Sequence, residues 1–188
     1  MKNSIGYREL KSEDKNYFPI GTELLKSAAG EQGVGDRQVE LFAAASECCV
    51  FGAFINDELI GIGLGGIIPK NQYEFYAVFS NSIFNIFLSE KIGTLLFVAV
   101  KEEYKGFGVG KKLLELRQNW LKSNGAQFAL ASSWKNNKKF SSPRLFIADG
   151  FEEVSHFCTY IHPSIETNPC PICKPTCHCE NYIFIKKL

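Results

Sequence analysis

A chain of 188 residues, 45% of them hydrophobic and sixteen of them Phe, can bury the core of one domain, with room for a small appendage. The net charge is +1 and the charges are spread along the chain, which excludes the concentrated basic face of a nucleic-acid binder. No run reaches the roughly 18 apolar residues of a membrane span, and the N-terminus lacks the apolar stretch of a secretion signal. The expected location is therefore the cytoplasm, where the seven Cys are not presumed disulfides.

In chain order, residues 5–10 read as a short strand. Ser12 in Ser-Glu-Asp is placed to cap a helix running to about Ala29, with Phe18, Leu24 and Leu25 among its apolar positions. A Gly-containing loop over 30–36 leads to a second helix over 37–45. Strands are predicted over 49–55 and 58–68, joined by a tight turn at Asn56-Asp57. Gly61, Gly63, Gly65 and Gly66 in the second of these point to irregularity or to close approach of another backbone.

Residues 73–79 look strand-like, and 82–88 fit a strand or a short helix; this Phe-rich stretch is a candidate acceptor wall or homodimer face. A core strand follows over 93–100, then a long helix over 108–124 with Val109, Leu113, Leu116 and Trp120 on one face, stopped by Gly125. Residues 128–133 form the next strand. Ser142 is the predicted cap of a helix with Pro143 at its first position, ending at Gly150. Strands over 151–161 and 182–187 complete the chain, which has no internal repeats. Hairpins mixed with helices predict an α+β domain.

The segment from Leu95 to Leu114 carries most of the information. A buried strand, a turn with Gly106, Gly108 and Gly110, and an amphipathic helix follow one another. Such a turn bares backbone N–H groups at the positive end of a helix dipole, which suits a phosphate. A Walker loop needs four residues between its first Gly and the Gly-Lys pair, then Ser or Thr. Here Gly106 and Gly110 enclose three, and Lys111 is followed by Lys112. The dinucleotide fingerprint needs a third Gly where Lys111 stands.

A third pattern fits: Arg or Gln, two residues, Gly, one residue, then Gly or Ala, read here as Lys105-Gly-Phe-Gly108-Val-Gly110. It resembles motif A of the GNAT superfamily of N-acetyltransferases, which bind acetyl-CoA. Lys105 replaces the usual Arg or Gln. Lys-Glu-Glu-Tyr stands where the family often has Pro-Glu-Tyr, and Arg144-Leu-Phe-Ile-Ala-Asp-Gly-Phe151 resembles the family's Leu-Tyr-x-x-x-Gly-Phe. The resemblance covers roughly residues 5–160. It implies a mixed, mostly antiparallel sheet, splayed between the 93–100 and 128–133 strands, with the pantetheine arm in the splay.

By that resemblance, Phe97, Val98, Ala99 and Val100 meet the cofactor, with Val98 and Val100 pairing with pantetheine. Lys105, Gly106, Phe107, Gly108, Val109, Gly110 and Lys111 hold the pyrophosphate, and Asn137 is a further contact. The implied reaction is direct attack of an amine on the acetyl thioester, with a small-molecule or peptide amine as acceptor. A backbone N–H near Phe97 or Val98 would bind the oxyanion. A lysine-like amine with pKa about 10.4 is only about 0.04% neutral at pH 7, a handicap of about 4.6 kcal/mol that a base or desolvation must offset.

No catalytic base or acid is readable. The core strand has no Asp or Glu, and Glu102 and Glu103 beyond it suit a solvated turn. Phe146 occupies the position of the Tyr that commonly protonates the leaving thiolate. Tyr104 and Ser142 are the hydroxyl candidates, each with a plainer role, packing for Tyr104 and helix capping for Ser142. His156 lies in a strand-like stretch that suits a structural His.

Near the C-terminus, Cys170-Pro-Ile-Cys173-Lys-Pro-Thr-Cys177-His-Cys179 packs four thiols into ten residues. Cys-x-x-Cys is a familiar half-site for zinc, and Cys-x-Cys puts two side chains on one face of extended chain. Structural zinc on Cys170, Cys173, Cys177 and Cys179, an iron–sulfur cluster, and free thiols or disulfides all stay open. Cys48, Cys49 and Cys158 read as small apolar core residues. The leading function is an acetyl-CoA-dependent N-acetyltransferase. The alternative is a non-catalytic module of the same fold, sensing metal or redox state through the cysteine loop, or regulating a partner enzyme.

Overall fold

The computed structural model describes residues 4–30, 34–70, 91–135, 142–158 and 180–188. The predicted features at 73–79, 82–88, Asn137 and the four clustered cysteines lie outside the described residues. Seven strands form one sheet in the order β1-β2-β3-β4-β5-β7-β6, flanked by helices, which is the expected α+β class. The chain forms two compact units, Met1–Ile67 with Leu95–Asn124, and Ile68–Thr94 with Gly125–Leu188.

The first unit is a meander of β1 (Gly6–Glu9), β2 (Cys48–Ile55) and β3 (Glu58–Ile67), joined by most of β4 (Ile92–Val100). β1–β2 and β2–β3 pair antiparallel. Asn56 and Asp57 take positive φ of 46° and 64°, the turn whose twist suits a two-residue hairpin. Ala53 faces Gly61 while Phe54 faces Leu59, so Ile60 is the extra residue of a β-bulge. The bulge resets the alternation, and Ile60 and Gly61 both turn to the same face.

That alternation sorts the core into two layers. Val50, Phe54, Leu59, Ile62, Leu64 and Ala99 pack with Phe18 and Leu25 of α1 (Phe18–Ala29) and Val39 of α2 (Gln38–Ala44). On the opposite face, Cys49, Phe51, Ala53 and Ile60 pack with Val109 and Leu113 of α3 (Val109–Ser123). Glycines set how closely the helices approach. A Cβ on Gly21 of α1 would lie 2.5 Å from Ile62 Cδ1. One on Gly61 of β3 would lie 3.1 Å from Val109 Cγ1 and 3.3 Å from the Ala99 carbonyl oxygen. Close approach is thus part of the reason for the glycines in this strand.

Ser12 does not cap α1. A 3-10 turn over Lys15–Tyr17 precedes the helix, which starts at Phe18 with Pro19 in its first turn. Asp14 organises the entry instead: its carboxylate accepts the Lys11 N–H at 2.8 Å and pairs with Arg8 at 2.8 Å. A carboxylate accepts a stronger bond from an N–H than a hydroxyl does.

In the second unit, β7 (Glu180–Lys187) pairs antiparallel with both β5 (Phe128–Lys135) and β6 (Glu152–Cys158). Phe146 of α4 (Ser142–Ala148) packs against Phe151 and Phe184, with ring centroids 5.3 and 5.5 Å away. Gly125 and Gly150 follow α3 and α4 with φ of 82° and 84°, stopping both helices as predicted.

Candidate cofactor loop and core strand

β4 leaves the sheet through a 3-10 turn over Glu102–Tyr104 and enters α3 through the glycine loop. Gly106 and Gly108 have φ of 82° and 81°, a left-handed conformation open to Gly at no steric penalty. Gly108 is the N-cap of α3 and supplies no side-chain cap. Lys112 N–H is the first in the helix to find a backbone partner, the Gly108 carbonyl at 3.0 Å. The N–H groups of Val109, Gly110 and Lys111 are therefore the orphan donors of this helix end.

A Cβ at Gly106, Gly108 or Gly110 would meet nothing within 4 Å. Behind them, Val109 is buried against Gly61, which fixes the height of the helix start over the sheet. Lys105 pairs with Glu102, and Lys112 with Glu115 at 2.8 Å. Lys111 is exposed and makes no ion pair among the described residues. Phe107, at the tip, is 72% exposed. Orphan donors, a helix dipole and an ammonium without an ion pair among the described residues are features that suit an anion.

Along β4 the side chains alternate. Phe97 and Ala99 pack on the α1 side, Val98 and Val100 on the α3 side. Arg117 of α3, which the sequence reading did not single out, lies under this strand and is 2% exposed. Its Nε donates to the Leu113 carbonyl at 3.0 Å. Its Nη1 donates to the carbonyls of Leu64 in β3 and Phe97 in β4, both at 3.1 Å. Burial pushes its pKa down to about 10, so it stays charged at neutral pH. The signal was present in the sequence: Arg117 follows Leu113 by one helical turn on the apolar face.

Other candidates fall into plainer settings. Tyr104 is half-buried and packs against the Cys49–Phe51–Val109 cluster. Phe146 is a core residue, so the position of the usual acid is filled by packing. Ser142 is the first residue of α4. His156 is exposed, stacked on Tyr182 with centroids 5.6 Å apart, and its Nδ1 lies 3.4 Å from Glu153. Cys49 is buried as expected, and burial raises its thiol to about 12; Cys48 is half-buried and also raised by burial. Among the described residues, no group of three or more His, Cys, Asp or Glu could hold a metal ion. None of their helices is long and apolar enough to cross a membrane.

The acetyltransferase (GNAT) family matches residues 13–139, which include the glycine loop, β4 and α3. The chain belongs to this family. Solved structures agree in fold. A GNAT-family acetyltransferase from Streptococcus pneumoniae superposes with a TM-score of 0.68 at 15% identity, covering 98% of this chain and 100% of that one. An IAA acetyltransferase from Bacillus cereus gives 0.64 at 17% identity, covering 98% and 100%. A chain of the NatC complex bound to Gag peptide and CoA gives 0.65 at 15%, covering 98% and 99%. No curated protein matches the sequence. The GNAT chain is thus an acyltransferase by family, and the expectation drawn from Lys105-Gly-Phe-Gly108-Val-Gly110 is met at that level. Its identity to these structures supports a shared fold and no shared acceptor.

Proposed function

We propose that this GNAT protein is an acetyl-CoA-dependent N-acetyltransferase acting on a small-molecule or peptide amine. One observation carries the reading: α3 begins at a left-handed Gly108 with no side-chain cap, leaving the N–H groups of Val109, Gly110 and Lys111 without helix partners, beside a Lys111 that makes no ion pair among the described residues and three glycines whose Cβ positions are open. A pyrophosphate supplies the acceptors and negative charge that this end lacks. Phe107 and Lys105 flank it. The pantetheine arm then runs along β4 and pairs with the backbone of Val98 and Val100.

The neutral amine adds to the thioester carbonyl carbon, and the oxygen takes up the negative charge. The Val98 N–H stabilises that oxyanion. The C–S bond breaks as the carbonyl re-forms, the CoA thiolate leaves, and the ammonium of the adduct loses its proton. A thiol with pKa about 8.5 leaves without a strong acid, which fits the absence of a hydroxyl at buried Phe146. Some base or desolvation must still free the amine, and no described side chain is assigned that role.

Calorimetric titration with acetyl-CoA tests the reading. Micromolar binding at one site is expected. Folded protein that binds none at millimolar ligand would sink it. Buried Phe146 also favours a second reading, a non-catalytic module that keeps the CoA fold. Thiol release that accelerates on adding an amine separates the enzyme from the module.

A further inference from the structure

We propose that Arg117 is a positioning residue for the oxyanion donor: it anchors the Phe97 carbonyl from beneath β4 and so aims and strengthens the Val98 N–H. The proposal rests on the reading above, in which that N–H meets the thioester oxygen. One guanidinium nitrogen, Nη1, bonds the Phe97 and Leu64 carbonyls at 3.1 Å each, so the two oxygens converge on a single point at the β3–β4 seam. In a trans peptide the N–H lies antiparallel to the carbonyl of the same unit. The Val98 N–H therefore points away from the guanidinium, on the opposite edge of the strand from the Phe97 carbonyl.

The peptide group also transmits the charge. A cation on the carbonyl oxygen draws density from the nitrogen through the C–N resonance, which makes the N–H a better donor. No carboxylate among the described residues pairs with Arg117, although it is 2% exposed. A buried charge without a counter-ion is unfavourable, and an apolar side chain of similar size would usually serve stability as well. β3 even makes room for it: a Cβ on Gly63 would sit 2.9 Å from its Nε. The uncompensated positive charge lies under the strand at which negative charge develops.

The test uses the full chain, CoA and acetyl-CoA, with no amine required. Slow hydrolysis of acetyl-CoA passes through the same oxyanion: water adds to the carbonyl carbon, the C–S bond breaks, and acetate, CoA thiol and a proton result. Arg117→Met is compared with wild type for melting temperature, CoA affinity, kcat and KM of thiol release, and the Val98 amide proton shift. The expected result is melting close to wild type, because relief of the buried charge offsets the carbonyls left without a donor, with CoA affinity within about twofold, an upfield Val98 shift, and kcat lower by about tenfold or more. Arg117→Lys should recover part of kcat. A kcat within about twofold of wild type overturns the proposal. So does a fall in kcat that merely tracks loss of CoA affinity and melting temperature, which marks a structural role. If Arg117→Met does not fold, Gly63→Ala, which displaces the guanidinium, is read by the same criteria. Wild-type protein that fails to bind CoA sinks the cofactor reading itself, a result distinct from binding with unchanged kcat in the variants.

Discussion

Gly63 and Arg117 form a matched pair across the β3–α3 interface: a Cβ at Gly63 would lie 2.9 Å from Arg117 Nε and 3.2 Å from its Cδ and Cζ. The guanidinium lies against bare backbone, and its bonds to Leu64 and Phe97 hold it there. Enlarging residue 63 must move a side chain with few alternatives. Gly63→Val is therefore expected to destabilise the protein by about 1–3 kcal/mol, as overpacking does. Gly63→Val combined with Arg117→Met should lose less than the sum of the two changes. Denaturant unfolding of the four proteins checks this; strict additivity would show that the two sites are not coupled.

Gly110 separates stability from binding. It is the second residue of α3, it has no positive φ, and a Cβ there meets nothing within 4 Å. Helix propensity alone predicts that Gly110→Ala gains up to about 1 kcal/mol. The motif admits Gly or Ala at this position, so the added methyl is compatible with the N–H groups assigned to pyrophosphate. Expected together are a higher melting temperature and a CoA affinity within about twofold of wild type. Gly108→Ala should lower both, because φ of 81° is strained for Ala by about 1–2 kcal/mol. A CoA affinity at least about tenfold weaker in Gly110→Ala would show that the ligand needs the space of that Cβ.

Much of this arrangement was legible in the sequence because it rests on local rules. Asn56-Asp57 forced a hairpin turn, and the Gly106–Gly110 spacing distinguished this loop from a Walker or dinucleotide loop. What was not legible depends on pairing across the sheet. Arg117 stands on the apolar face of α3 in the sequence, but what it bonds emerges only when β3 and β4 are placed beside it. The glycines of β3 pointed to close approach but not to which helix approached, and the bulge at Ile60 is visible only in the β2–β3 register. Ser12 failed as a cap because the chain makes a 3-10 turn over Lys15–Tyr17 and the helix begins only at Phe18, six residues on. The zinc reading of Cys170–Cys179, an expectation from spacing, lies outside the described residues.

Phe146 stands where a Tyr would be the family's usual acid, so Phe146→Tyr is an obvious restoration, and the packing argues against it. The ring is 5% exposed and lies among Phe151 and Phe184. A hydroxyl added there without a partner costs about 1–3 kcal/mol. The expected outcome is a lower melting temperature and no gain in thiol release from acetyl-CoA. A gain of several-fold would show that position 146 reaches the thioester.

Two buried groups give stability an alkaline signature of opposing signs. Burial raises the Cys49 thiol from 9.0 to about 12, so the unfolded chain loses that proton first. Stability from the neutral thiol is fully present below pH 9.0 and is lost as pH rises toward 12. Burial lowers Arg117 from its ordinary value to about 10, so above pH 10 the folded state releases its proton first, and this contribution grows as pH rises further. The two slopes oppose above pH 10, while between pH 9.0 and 10 the raised thiols act without the arginine, Cys49 most strongly and half-buried Cys48 in the same direction. Wild-type protein should lose up to about 1.4 kcal/mol over that one unit. Cys49→Ala, though less stable at pH 7 for want of the buried sulfur, should show a flatter profile across it. Melting curves at half-unit steps decide the matter: parallel profiles for the two proteins would mean that Cys49 is not the group that titrates.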